Sequence, residues 1–321
     1  MTTESVRGVH PRVGTRGGGM GAGIWRLADP KITLASAASM IVGATAAAWQ
    51  GPLAWGWLAL TVLGIFCVEA GKNASGEIFD WDSGDDQAIR EDERTPFSGG
   101  KRVIVDGLLT RTQTAGVAAV FYAGAIISGL LIVFAREPAV LWVGMVGVGL
   151  AFFYHAPPLR LAYRGLGELA VTLAYGPVIA AGTYLVQRHT IDAPVLWASV
   201  PLGLAIGAFL WINEFPDARA DAAAGKRTLV VRLGRPAAAR WFSFIIGVAY
   251  AAVAVLPVLG LPVWIWFGWI GLPLGVAAAR RLGRYPETPA EIIPAQAWTL
   301  FSFVLMAAGM GVGFVVASGL T

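Results

Sequence analysis

The chain has 321 residues, of which 56% are hydrophobic and only 14% are charged, and its mean hydropathy is +0.64. Soluble domains carry roughly 25% charged residues, so this composition excludes an ordinary soluble domain and indicates a polytopic helical membrane protein. The net charge of +4 does not point to nucleic acid, because basic residues in a membrane protein first report its topology. The single cysteine, Cys67, excludes an internal disulfide and a cysteine-based zinc site.

Residues 1–25 are rich in Gly, Arg and Thr and lack an apolar signal core, so we expect a disordered tail ahead of one membrane domain, residues 26–321. About nine apolar segments follow, each near the length that crosses a bilayer. The expected fold is all-α, a polytopic bundle of about nine transmembrane helices. The predicted helices are Ile32–Trp49, Pro52–Glu77, Gln113–Ala135, Pro138–Tyr154, Gly165–Gln187, Pro194–Phe215, Pro236–Val258, Leu261–Ala279 and Ile292–Ser318.

The distribution of charge supports this order of helices. With the N-terminus inside, Arg136 and Arg188 are the only Lys or Arg residues on the predicted outer side. The positive-inside rule therefore predicts a cytoplasmic N-terminus and an outer C-terminus. Both acidic segments described next fall on the predicted cytoplasmic face.

The first acidic segment ends the second predicted helix. Concentrated negative charge at the end of a membrane span is expensive unless something neutralises it, and carboxylate oxygens suit Mg²⁺, which in turn bridges phosphates. The segment therefore predicts a site for a divalent cation and a diphosphate. Its carboxylates are Glu77, Asp80, Asp82, Asp85 and Asp86.

The second acidic segment ends the sixth predicted helix. Asp217 and Asp221 are four residues apart and share a helical face, and Asn213 lies one turn earlier on that face. A solvated helix end would give the same residues. However, basic pairs follow both acidic segments, Lys101–Arg102 and Lys226–Arg227, and this repetition favours a joint site.

These motifs resemble those of the UbiA superfamily of intramembrane prenyltransferases, closest to its menaquinone-type, 1,4-dihydroxy-2-naphthoate polyprenyltransferase-like branch. The family's second motif, Asn-x3-Asp-x3-Asp followed by Ala-Gly-Lys-Arg-Thr-Leu, stands here at 213–221 and 224–229. In the first motif Asp80 and Asp86 match, Glu77 replaces a family Asp, and Gly76 stands at the family's Asn position. Asn73, one turn earlier, is a candidate replacement for that Asn.

The segment from Tyr154 to Glu168 resembles the family's loop between helices four and five. The resemblance implies that Asp80, Asp86, Asp217 and Asp221 are catalytic and, together with Glu77, bind Mg²⁺. It also implies a set of residues that bind the diphosphate or the acceptor. These are Asn73, Lys101, Arg102, Tyr154, Arg160, Asn213, Lys226 and Arg227.

The implied function is Mg²⁺-dependent transfer of an isoprenyl group from a prenyl diphosphate to an aromatic quinone precursor within the bilayer. A dry cavity is part of such chemistry, because water would quench the allylic cation that forms when diphosphate leaves. Two alternatives stay open at this point. A terpene cyclase or another lipid prenyltransferase would use the same ionisation, whereas an ion-coupled transporter would place its carboxylates near the bilayer midplane.

Overall fold

A computed structural model of the chain describes residues 19–319, in which no strand occurs and the longest connection between helices is the loop 89–110. The predicted tail lies outside the described residues as far as residue 18. From Met20 onward the predicted tail is helical, since the first helix begins at that residue. The helices are α1 (Met20–Ala28), α2 (Pro30–Gln50), α3 (Trp55–Ser83), α4 (Asp85–Ala88), α5 (Arg111–Ala135), α6 (Val140–Phe153), α7 (Gly167–Leu173), α8 (Ile179–Arg188), α9 (Ala193–Ala223), α10 (Leu229–Leu233), α11 (Arg235–Val255), α12 (Leu272–Arg284) and α13 (Pro289–Ser318).

Eight helical stretches of the described chain are long and apolar enough to cross a membrane, so the protein is a multi-pass integral membrane protein. The α1–α2 and α7–α8 pairs each count as one such stretch, and a 3₁₀ segment, Val263–Gly271, extends α12. The remaining predicted segment forms α6, which has only 14 residues and is about 21 Å long. That length is less than the roughly 30 Å hydrocarbon core of a bilayer.

Helix α6 nevertheless connects the two ends of the bundle. Beyond the end of α5, the Arg136 guanidinium donates to the carbonyl of Val186, near the end of α8. Beyond the end of α6, His155 approaches Asp80 at the end of α3, with Nε2 and Oδ2 3.6 Å apart. The remaining one of the nine predicted segments is therefore present as a helix that runs between the two ends of the bundle, but it is shorter than the eight candidate membrane spans.

Helix α9 is the most buried of the eight stretches and lies at the centre of the bundle. It packs against α2, α7, α11 and α13, and its buried side chains include Ile206, Ile212 and Phe215. Small residues allow the closest approach, because a Cβ on Gly176 would lie 2.9 Å from the Cα of Gly203. Such contacts are typical of membrane bundles, where association depends on close packing rather than on the hydrophobic effect.

The helix formed by α7 and α8 is interrupted by a π-helical segment, Ala174–Val178. Pro177 has no N–H and cannot continue the regular hydrogen-bond ladder, so the turn widens. A backbone carbonyl freed inside a membrane needs another donor. The hydroxyl of Ser39 donates to the Tyr175 carbonyl, and the side chain of Tyr175 is buried in the bundle.

Candidate active site

Helix α3 carries the first acidic segment beyond the predicted end of its apolar run. It continues to Ser83, where Gly84 adopts a left-handed conformation with φ of 79° and stops it. The short helix α4 then begins with Asp85 and Asp86, which are both buried. The segment is therefore a helix end followed by a sharp turn, and the turn directs Asp85 and Asp86 into the protein.

Helix α9 likewise extends eight residues beyond its predicted end, from Phe215 to Ala223. Asp217 and Asp221 consequently lie on its last turns and share one face, as their spacing predicts. Asn213 lies on the same face, where its Oδ1 accepts a hydrogen bond from Gln296 Nε2 at 3.0 Å. This bond ties the second acidic segment to α13.

Lys226 connects the two acidic segments. Its ammonium is buried, forms an ion pair with Asp85, and lies 3.0 Å from Asp80 Oδ1 and 3.9 Å from Asp221 Oδ1. Burial alone would lower the pKa of Lys226, but the surrounding carboxylates, Asp80 foremost, raise it well above its ordinary value. The residue therefore stays cationic and holds the ends of α3 and α9 together.

The negative charge of this region exceeds what Lys226 neutralises. Asp85 Oδ1, Asp86 Oδ2 and Asp217 Oδ1 are buried and have no hydrogen-bond partner among the described residues. Burial, together with the charges of Glu77 and Asp80, raises the pKa of Asp86 to about 9. A hard divalent cation takes carboxylate ligands, so one bound here would supply the missing positive charge and favour the ionised form of these carboxyls.

The donor set therefore fits Mg²⁺. Over residues 19–319, no three acidic or His/Cys side chains already converge on a point where they could hold a metal. Asp80, Asp85 and Asp221 turn toward the Lys226 ammonium instead. The ligand set predicted from the sequence stays a prediction.

A loop from α4 to α5 passes over both acidic segments and contacts each of them through Gly99 and Gly100. The Gly99 amide donates to Asp217 Oδ2 at 3.2 Å, and a Cβ on Gly100 would lie only 2.0 Å from Asp86 Oδ1. Both glycines have positive φ, 97° and 72°, which other residues rarely adopt. The Gly-Gly pair thus lets the backbone approach the two carboxylates closely.

Gly76, at the family's Asn position, faces His155. A Cβ on Gly76 would lie 2.7 Å from His155 Cε1, so the imidazole occupies the space that a side chain at position 76 would need. Burial lowers the pKa of His155 to about 4, although Asp80 opposes this, and the imidazole is therefore neutral at neutral pH. A neutral ring beside Asp80 can donate or accept one hydrogen bond without adding charge.

Two cavities meet inside the bundle. The head cavity has about 2300 Å³ of empty space, part of it open to solvent, and its wall includes Asn73, Glu77, Asp80, Asn213 and Asp217. The second, apolar cavity has about 1110 Å³ and lies between α3, α5, α6, α7 and α8. Four residues line both cavities: Lys72, Tyr154, Val171 and Tyr175.

The predicted basic residues divide into two groups. Lys101 lines the head cavity and forms an ion pair with Asp29, whereas Lys226 does not line it but contacts Asp80, which does. Arg102, Arg160 and Arg227 do not line the head cavity. Arg102 donates to the Asp86 carbonyl, Arg160 stacks over the Tyr163 ring at 3.8 Å, and the Arg227 side chain is exposed.

Two predicted ligands on α3 also form structural bonds. Glu77 Oε1 accepts from the Ile104 amide at 3.1 Å, and Asn73 Nδ2 donates to the Leu27 carbonyl at 2.8 Å. These bonds fasten the α4–α5 loop and α1 to α3. They leave the metal-binding role of either side chain as a prediction.

Several residues at the site were not among the predicted site residues. Glu214 is buried in the wall of the head cavity, and Lys31 and Lys72 line that cavity. One signal in the composition pointed to the lysines. The chain has only four of them, and all lie at this site: Lys31, Lys72, Lys101 and Lys226.

Comparison with known sequences identifies related proteins. The sequence model of the UbiA prenyltransferase family matches residues 36–301. The chain is 30% identical over 270 residues to the 1,4-dihydroxy-2-naphthoate octaprenyltransferase of Mycobacterium tuberculosis, covering 83% of this chain and 88% of that protein. It is 28% identical over 270 residues to the 2-carboxy-1,4-naphthoquinone phytyltransferase of Synechocystis sp., covering 82% and 83%.

Solved structures share the architecture. A UbiA homolog from Archaeoglobus fulgidus, bound to DMAPP and Mg²⁺, matches with a TM-score of 0.63 and 14% identity, covering 93% of this chain and 99% of that one. The same homolog bound to GPP and Mg²⁺ matches with a TM-score of 0.62 at 14% identity, covering 88% and 99%. At 14% identity, these comparisons show a shared fold and nothing further about this chain.

Proposed function

The chain belongs to the UbiA prenyltransferase family, and on that premise we propose that it transfers an isoprenyl group from a prenyl diphosphate to an aromatic acceptor of the dihydroxynaphthoate type, with Mg²⁺ as cofactor. The observation that carries the proposal is the junction of the two acidic segments at Lys226, beside a polar cavity that adjoins an apolar one. An amphiphilic donor needs both environments. The names of the curated relatives support the acceptor class.

The residues proposed to hold the metal are Glu77, Asp80, Asp86, Asp217 and Asp221. When bound, Mg²⁺ would neutralise the diphosphate and stabilise the charge that develops as the diphosphate leaves. The orphaned oxygens of Asp86 and Asp217 support this assignment. The site would face the cytoplasm, in keeping with the distribution of Lys and Arg along the sequence.

The chain's own cations complement the metal site. Lys226 holds Asp80 and Asp221 at a fixed separation, and it offers a positive charge to a departing diphosphate. Lys101 brings a second ammonium to the wall of the head cavity, where Asp29 orients it. Because the packed helices already hold both ammonium groups in place, neither has to move into position when the diphosphate leaves.

Water is kept from the reacting carbon by two features. The loop from α4 to α5 covers the head cavity and is held at Gly99 by Asp217 and at Lys101 by Asp29. Beyond Lys72, the apolar cavity offers hydrocarbon surroundings to the tail or to the ring of a substrate. A carbocation formed between the head cavity and the apolar cavity would meet the aromatic acceptor rather than solvent.

The test is turnover by the purified protein in detergent or lipid. We expect a prenylated product with a dihydroxynaphthoate acceptor and Mg²⁺, detected by mass spectrometry, and loss of that product on chelation with recovery on adding Mg²⁺ back. Full turnover after exhaustive chelation would reject the metal requirement. Product formed from the donor alone, with no use of acceptor, would instead favour a terpene cyclase.

A further inference from the structure

We propose that Lys72 binds an anionic group of the aromatic acceptor, a carboxylate or an ionised phenol, at the junction of the two cavities. The inference rests on the proposed function and names the residue that selects its second substrate. Lys72, Tyr154, Val171 and Tyr175 form this junction, because they line both the head cavity and the apolar cavity. Lys72 is the only cation among these four.

The first argument is that the Lys72 ammonium forms neither an ion pair nor a hydrogen bond within the described residues. No described carboxylate lies within 4.0 Å of its Nζ, and the ammonium donates no hydrogen bond to a described residue. Lys101 and Lys226, by contrast, are engaged with Asp29 and Asp85. A lysine held deep in a membrane helix without an ion-pair partner is costly, and a functional ligand is the default explanation.

The second argument is the depth of Lys72. It precedes Asp80 by about two turns of α3, which separates the backbones of the two residues by about 12 Å along the helix axis. A prenyl diphosphate carries its charge only at its head, and the head belongs with Asp80 and Asp217. Of the basic residues that line the head cavity, only Lys72 also lines the apolar cavity, so we assign to it the anionic group of the substrate whose ring enters the apolar cavity.

The third argument is the surroundings of Lys72. Glu69, one turn earlier on α3, is buried, with Oε2 accepting from Ser36 Oγ at 2.8 Å and Oε1 accepting from Tyr175 OH at 2.9 Å. Both carboxylate oxygens are thus occupied, and neither is bound to Lys72. The rings of Tyr154 and Tyr175 bound the junction, and aromatic walls with one placed charge suit a flat anionic ring.

The experiment measures binding of 1,4-dihydroxy-2-naphthoate and of its neutral methyl ester to the purified protein by calorimetry, together with steady-state kinetics. In Lys72→Met, we expect the acceptor's Kd and KM to rise at least tenfold, about 1.4 kcal/mol. The KM of the prenyl diphosphate should stay within twofold of wild type, and ester binding should be unchanged. Lys72→Arg, which keeps the charge, should recover part of the acid's affinity.

A second variant separates recognition from simple charge balance. If Lys72 only offsets the charge of Glu69, the double variant Glu69→Gln/Lys72→Met should bind the acid as wild type does. Under the proposal the double variant stays impaired. Arg111→Met, which removes an exposed cation paired with Asp82, serves as a control for loss of positive charge and should bind the acid normally.

Three results would overturn the proposal. The first is unchanged acid binding in a folded Lys72→Met protein, and the second is equal loss of acid and ester. The third is a raised KM for the prenyl diphosphate alone, which would assign Lys72 to the donor. If the wild type binds the acid but transfers no prenyl group to it, the proposed function fails while the binding comparison still tests Lys72.

Discussion

At the scale of single residues, the site depends on buried charges that the fold brings close together. Lys226 contacts carboxylates from both acidic segments, and Asp217 presents one oxygen to the Gly99 amide and another to no described donor. Charge that is buried and incompletely paired is tolerated where function requires it. Substitutions that keep shape and remove charge should therefore separate catalysis from folding.

Asp217→Asn and Asp221→Asn are each expected to lower turnover at least a hundredfold while leaving the protein folded. Each change removes a charged oxygen at nearly constant volume, so diphosphate activation is lost and packing survives. Prenyl transfer and the melting temperature of the purified protein are the measurements. Asp82→Asn, at an exposed carboxylate paired with Arg111, is the matched control and should remain active. Near wild-type turnover in Asp217→Asn would remove that residue from the site.

Gly76→Asn restores the family residue and is expected to destabilise the protein, because His155 fills the space that the new side chain needs. The expected loss is about 1 to 3 kcal/mol, as for other overpacked interiors. The double variant Gly76→Asn/His155→Ala should regain most of it. Thermal unfolding in detergent measures both. A single variant that melts with the wild type would mean that His155 moves aside freely.

At the scale of elements, the loop between α4 and α5 is held to several helices. Arg219 on α9 donates to both carboxylate oxygens of Glu93, at 2.5 and 2.6 Å, and also to the Ala88 carbonyl at 2.6 Å. On the opposite side, Lys101 pairs with Asp29 at the start of α2. The position of the loop over the head cavity thus depends on α9 and on the start of α2, which are distant from each other in the sequence.

Glu93→Gln tests this attachment through pH. The hydrogen bonds from Arg219 lower the pKa of Glu93 below its ordinary value of 4.5, although burial opposes this shift. A lowered pKa adds stability that is fully present above 4.5 and is lost as the pH falls through the folded pKa. We expect Glu93→Gln to cost about 1 kcal/mol at neutral pH, because Arg219 is partly exposed.

The difference in unfolding free energy between wild type and Glu93→Gln should shrink toward zero well below pH 4. Chemical unfolding across the acid range measures it. Glu91→Gln, an exposed position on the same turn, is the control and should match wild type at every pH. A pH-independent difference between wild type and Glu93→Gln would show that the side chain acts by packing and not by its charge.

At the scale of the whole molecule, the ends of α3 and α9 meet at one end of the bundle, whereas the end of α13 lies beside Trp49 at the other. The face that carries the site also carries most of the basic residues, while Arg136 and Arg188 lie at the opposite end. The positive-inside rule then predicts a cytoplasmic site. A reporter fused after Thr321 should read as non-cytoplasmic, and one fused before Met1 as cytoplasmic. A cytoplasmic reading at the C-terminus would mean that one helix does not cross.

The sequence by itself determined the class of the protein, the order of its helices and the two acidic segments. These features are local, because apolar length and four-residue spacing are properties of a single stretch of chain. Asp217 and Asp221 could therefore be paired from their spacing alone. The apolar pattern alone ended α3 and α9 too early, because their last turns are polar and are stabilised by contacts with other parts of the chain.

Only the tertiary structure decided which side chains meet. Lys226 reaches Asp85 across 141 positions, Gly99 reaches Asp217 across 118, and Tyr175 reaches Glu69 across 106. No local pattern encodes such pairs, since each depends on how α3, α9 and the broken α7–α8 helix pack. Packing likewise made Lys72 part of the boundary between the two cavities, and it placed His155 where Gly76 leaves space.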